Sequence, residues 1–89
     1  MKTKTTERAT YGQLVELLTR LGFTRRAINN DYELFSHRRS GMSFPLPMCD
    51  MDARARGTHI DGLRLQLDYR GLMEHAEFDA YFATASAAK

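Results

Sequence analysis

Eighty-nine residues suffice for one domain and not for two, and a chain this short buries only roughly 60–65% of the surface it exposes when unfolded. A hydrophobic fraction of 43% with a charged fraction of 27% is that of a globular protein and excludes global disorder. Cys49 is the only cysteine, so no internal disulfide can form and an intracellular setting is expected. No apolar run approaches the ~18 residues that span a bilayer. Residues 1–6 are basic and polar with no apolar stretch behind them, so no signal peptide is expected. A small soluble cytoplasmic domain, off the membrane, is the resulting expectation.

The formal charge of +2 is too small to mark a nucleic-acid binder. Its distribution says more. Lysines stand only near the termini (Lys2, Lys4, Lys89), and every other cation is an arginine. The arginine doublets Arg25-Arg26 and Arg38-Arg39, with Arg54 and Arg56, are the candidates for bidentate phosphate contacts.

Residues 1–9 read as a polar, flexible lead-in. Thr10 and Gln13 then have the spacing of a capping box. Tyr11, Leu14, Val15, Leu18 and Leu21 follow at helical spacing, and Gly22 stands where a left-handed residue ends a helix. Residues 23–28 have short extended character. Asn29-Asn30-Asp31 is a turn signal, because such side chains bond their own backbone. A second strand is predicted over residues 32–37, and Arg38-Arg39-Ser40-Gly41 makes a hairpin connector. Met42, Phe44 and Leu46 alternate like a half-buried strand, with Pro45 ending it or confining it to an edge.

Residues 47–56 are predicted to form a loop that is unusually apolar up to Met51, suited to packing back on the core or to docking another chain. Cys49, Asp50, Asp52 and His59 lack a zinc spacing, so no metal is expected there. Residues 58–70 satisfy both periodicities. Leu63, Leu65, Leu67 and Tyr69 alternate, whereas Ile60, Leu63 and Leu67 repeat like a helix. Thr58 as a cap and Gly71 as a stop favour the helix. Phe78, Tyr81 and Phe82 then predict a short closing helix over residues 77–83, with a loose tail over residues 84–89. The expected domain therefore spans residues 10–83. Its fold class is α+β, ordered α-β-β-β-α with a three-stranded antiparallel meander covered by helices.

Four segments, in this order, resemble the HicA family of toxins: Leu17-Leu18-Thr19-Arg20-Leu21-Gly22-Phe23; the turn and strand from Asn29 to Phe35; the charged hairpin and strand that close at Pro45; and Gln66-Leu67-Asp68-Tyr69-Arg70-Gly71-Leu72 with Glu77-Phe78-Asp79. The resemblance implies a fold of the double-stranded-RNA-binding-domain type. It also implies a ribosome-independent mRNA endonuclease, held silent by a HicB-type antitoxin. The family carries a histidine at the start of the second strand, and that position falls here on Asp31. Imidazole can take or give a proton near neutral pH. A carboxylate with an ordinary pKa of about 3.9 is already ionised and is a poor acid. Losing a positioned acid–base typically costs ~10²–10⁴-fold in rate.

His37, beside Arg38 and Arg39, either supplies the missing base or is one more polar residue of a solvated hairpin tip. His59 and His75 read as surface residues. Arg25, Arg26, Arg38, Arg39, Arg54 and Arg56 could converge as a phosphate-binding strip, which suits duplex RNA without any base contact; the competing readings are a surface for an acidic partner protein or a merely solvated one. There is no glycine-rich phosphate loop and no activated serine or cysteine, so no cofactor is expected. Three readings follow. The first is a HicA-like domain that binds RNA or an antitoxin with nuclease activity lost or weakened. The second is an active endoribonuclease using His37. The third is a non-catalytic protein-interaction module, such as a homodimer.

Overall fold

The computed structural model describes residues 9–87. The order is α1 (Tyr11–Arg20), β1 (Thr24–Ala27), β2 (Tyr32–His37), β3 (Met42–Pro47), α2 (Gly57–Tyr69) and α3 (His75–Ala87). This is the α-β-β-β-α plan read from the sequence, and the closing helix expected to be short is a full one.

Helix α1 starts on the Thr10–Gln13 capping box. Thr10 Oγ1 accepts the Gln13 N–H, and Gln13 Oε1 accepts the Thr10 N–H. Each side chain satisfies an amide that the first turn leaves without an intrahelical partner, an arrangement worth about 1 kcal/mol. Gly22 ends the helix at φ +95°, in the left-handed region where a Cβ would be strained.

The sheet is antiparallel with β2 in the centre. Arg25 stands opposite Phe35, and Phe35 opposite Phe44, so one register row crosses all three strands. Successive side chains alternate between faces. One face therefore carries Phe35, Met42 and Leu46, all buried, and the helices pack onto it through Leu14, Leu17, Leu18, Ile60, Leu63, Leu67, Phe78 and Phe82. The other face carries Arg26, Tyr32, Leu34, Ser43 and Pro45, all exposed or half-buried. Strand β3 passes through Pro45 and continues to Pro47, two residues further than Pro45 suggested. It lies at the sheet edge, where a missing N–H breaks no ladder bond.

The ambiguous segment is a helix. Ile60, Leu63 and Leu67 are buried at helical spacing, whereas Leu65 is 62% and Tyr69 82% exposed, which breaks the strand-like alternation. Arg56 rather than Thr58 is its N-cap residue, and no side chain caps it. Burial of three aliphatic side chains compensates for that weak start. Gly62 lies beneath Phe44, whose ring stands 3.5 Å from where its Cβ would be. Helix α3 is not short. It begins at His75 and runs through Ala87, past the expected limit at Ala83, because the alanine-rich sequence that reads as a loose tail is also strongly helix-favouring. Residues 88–89 lie outside the described residues, as do residues 1–8 of the expected lead-in. Ala9, the ninth residue of that lead-in, is buried and belongs to the fold.

The apolar loop folds back on the start of α1. The Ala55 N–H donates to Ala9 O, the Tyr11 N–H to Ala53 O, and the Gly12 N–H to Met51 O, at 2.8–3.0 Å. This backbone clasp uses amides that α1 cannot satisfy itself. It also explains Gly12, since a Cβ there would stand 3.0 Å from Met51 O and 3.2 Å from Met51 Cβ. A Gly12→Val substitution is expected to push the loop off α1 and cost about 1–3 kcal/mol. Thermal unfolding followed by circular dichroism should show a Tm lower by at least about 4 °C.

Candidate functional site

Strand β2 carries Asp31 just before its first residue and His37 as its last. Six residues of extended chain separate them by roughly 20 Å, so they cannot serve one reaction centre. Asp31 is exposed in the β1–β2 turn. Asn29 Oδ1 accepts its N–H at 2.7 Å and that of Tyr32 at 3.0 Å, and Asp31 O accepts the Met48 N–H. The turn is thus built by Asn29. Among the described residues no hydrogen bond or ion pair engages the Asp31 carboxylate, which stands on a rim without an imidazole.

At the far end, His37 is half-buried. Its ring packs on Phe23 at 5.0 Å between centroids and passes over Gly22. Nδ1 lies 2.9 Å from Ser40 Oγ and accepts the Ser40 N–H at 3.2 Å. An Nδ1 that accepts a backbone N–H leaves the proton of the neutral ring on Nε2. Ser40 Oγ in turn accepts the Met42 N–H. The imidazole therefore braces the β2–β3 hairpin, and only Nε2 remains for outside partners. Among the described residues no carboxylate or second imidazole bonds to His37. Cleavage through the 2′-hydroxyl needs one group to take a proton and another to give one, and this end of the sheet offers a single candidate.

The six arginines do not form one strip. Arg25 lies on the helix-covered face, where its guanidinium donates to both Glu33 oxygens, at 2.6 and 3.3 Å, and spreads over the Phe35 ring. Arg26 is on the opposite face. Arg38 and Arg39 are exposed at the hairpin tip, whereas Arg54 and Arg56 belong to the clasp at the other end of the sheet. Sequence reasoning missed a third cation at the tip. Arg70, the C-cap residue of α2, donates from Nη1 to Ser40 O at 3.1 Å. Nothing in the local sequence signals this bond, because its partners are 30 residues apart. Arg70 thus joins Arg38 and Arg39 at one hairpin, whose backbone is braced by His37 and Ser40.

The other two histidines are not simple surface residues. His59 is half-buried, and its Nδ1 lies 2.8 Å from the Tyr11 hydroxyl, which also accepts the Arg56 N–H. With the Arg56 N–H already on its oxygen, the hydroxyl has its own proton to offer Nδ1 of the neutral ring. His75 Nε2 stands 3.3 Å from Asp68 Oδ2, within ion-pair reach but without hydrogen-bond alignment. The suggestive group in the loop is dispersed. Cys49 is exposed, Asp50 Oδ1 accepts the Asp52 N–H in a local turn, and His59 faces Tyr11 instead. Between the last two helices, Arg64 grips Asp79 through two bonds of 2.9 Å. Those bonds, first among several causes, raise the guanidinium pKa above its usual value.

No family model, curated protein or solved structure matches this chain. Its fold and side-chain geometry are therefore the basis for a functional reading.

Burial, with the Arg56 charge second, holds the His59 imidazole below its ordinary value near 6.5. The folded state then binds fewer protons than the unfolded state, so stability rises with pH across the interval between the two values. The contribution is complete above about pH 6.5 and is lost as the pH falls through the folded-state value. Melting curves from pH 7.5 to 5 should show a smaller drop in Tm for His59→Gln than for the unsubstituted chain. Equal drops would mean that other groups set the acid sensitivity.

Proposed function

We propose that this chain is a HicA-like domain that grips the phosphates of structured RNA with its β2–β3 hairpin and does not cleave them. One observation carries the reading: Arg38 and Arg39 stand on a braced hairpin that Arg70 reaches from α2, while the carboxylate at the resembled catalytic position stands roughly 20 Å away. Arginine forks suit phosphate oxygens, and a preformed tip lowers the ordering cost of engaging them. Duplex RNA offers its phosphates in a regular array, so contacts of this kind bind by shape without reading bases. Asp31 repels a phosphodiester at the turn. The lone Nε2 of His37 supplies at most half of an acid–base pair.

Binding of a short duplex RNA should weaken steeply with salt, since each neutralised phosphate releases a counterion. An Arg38→Ala/Arg39→Ala variant should bind more weakly at every sequence tested, with a salt slope shallower by about 2. Affinity and slope unchanged in that variant would remove the hairpin from the interface. The RNA recovered after incubation at neutral pH should be intact. Fragmentation that disappears in His37→Ala would instead make the chain an endoribonuclease using that imidazole.

A further inference from the structure

We propose that the outer edge of β1, which no other described strand pairs with, docks an extended, acid-bearing segment of a partner protein, which adds to the sheet as a fourth strand. In an antiparallel pair, alternate residues point their N–H and C=O toward the neighbour, and the others point them away. Ile28 donates to Tyr32 O, so Ile28, Arg26 and Thr24 bond inward to β2, and Arg25 and Ala27 present both backbone groups outward. At the opposite edge, Met48 donates to Asp31 O, so Leu46, Phe44 and Met42 bond inward and Ser43, Pro45 and Pro47 face out. Two of those three have no N–H to give. The two edges are therefore unequal. Strand β3 is blocked against strand addition by proline, and β1 keeps both of its outward donors.

Charged side chains often guard such an edge, but here Arg25 is folded away. Its guanidinium is committed to Glu33 and to the Phe35 ring, so it lies along the sheet. Arg26 remains, exposed on the open face beside Ile28, which is 52% exposed, and Tyr32, which is 44% exposed. An added strand would place one side chain directly opposite Arg26 in a non-hydrogen-bonded pair, where side chains come closest. A carboxylate fits that place, with an apolar residue two positions along against Ile28.

A second copy of this chain does not fit. A two-fold axis at Arg26 opposes Arg26 to itself, and one at Arg25 does the same to Arg25. An axis at Ala27 carries Arg25 to Asn29, which is already bent into the turn by its bonds to Asp31 and Tyr32. Like charges directly opposite are destabilising, so the occupant is a different, acidic strand. This edge is separate from the hairpin tip that carries the RNA reading.

The test uses the full chain, labelled with ¹⁵N, and a seven-residue peptide of alternating valine and glutamate, compared with the same peptide carrying lysine for glutamate. The glutamate peptide should bind at least tenfold more tightly and slow amide exchange at Arg25 and Ala27. Arg26→Glu should reverse the preference. Ala27→Pro removes an outward N–H without touching the ladder to β2. It should abolish binding while leaving duplex-RNA affinity unchanged. Should Ala27→Pro fail to fold, the glutamate peptide N-methylated on alternate amides makes the same test from the other side and should not bind. Equal affinity for the two peptides, undiminished binding to folded Ala27→Pro, or no binding at millimolar peptide would overturn the proposal. A dimer in sedimentation that Ala27→Pro dissolves would overturn it in favour of a second copy.

Discussion

The backbone clasp between the start of α1 and the loop after β3 is the constraint on which the rest of this architecture depends. Ala9, Tyr11 and Gly12 pair with Ala55, Ala53 and Met51, so α1 and α2 begin side by side at one end of the sheet. The residues that close them, Gly22 and Arg70, meet the β2–β3 hairpin, where Gly22 lies against the His37 ring and Arg70 binds Ser40 O. Tyr11 reinforces the clasp by taking part in two bonds, one to the backbone of Arg56 and one to His59. A buried hydroxyl that lost both partners would carry the full cost of its desolvation.

One-sided burial explains the division of labour across the sheet. The covered face is filled by Phe35, Met42 and Leu46 against the three helices, and it leaves little freedom for polar residues. The polar residues on it stand at its margins: Arg25 pairs with Glu33 and lies over Phe35, and His37 is held by Ser40. The open face and the two ends of the sheet are left to present polar groups. One end offers guanidinium groups on a braced hairpin, and the other offers the Asn29 turn with the Asp31 carboxylate. The physical separation of these two ends is what divides binding from catalysis in the proposed function. Cations that position a phosphate are useful alone, whereas an acid and a base act only together.

Much of the fold was legible. The capping box at Thr10 and Gln13, the glycine stops at Gly22 and Gly71, the Asn29 turn and the edge role of Pro45 are each local effects, written in residues a few positions apart. Helix α3 exceeded its expected length because alanine and serine support a helix as readily as they make an unstructured tail, and periodicity could not distinguish them. The candidate site was legible only in its parts. His37, Arg38 and Arg39 stood out in sequence, but the expected convergence of six arginines did not occur. Arg25 found a carboxylate on the neighbouring strand, and Arg54 and Arg56 were drawn into the clasp.

The sequence by itself determined the order of the elements, where α1 begins and ends, and which side chains are apolar, because capping, turn chemistry and hydrophobic period act over three or four residues. Only the tertiary structure decided that the helix favoured after Thr58 starts from Arg56 with no side-chain cap, that His59 faces Tyr11, and that Arg70 joins the hairpin tip. Each of those outcomes depends on a partner distant in the chain. A bond between residues 30 or 48 positions apart leaves no mark on the residues beside it.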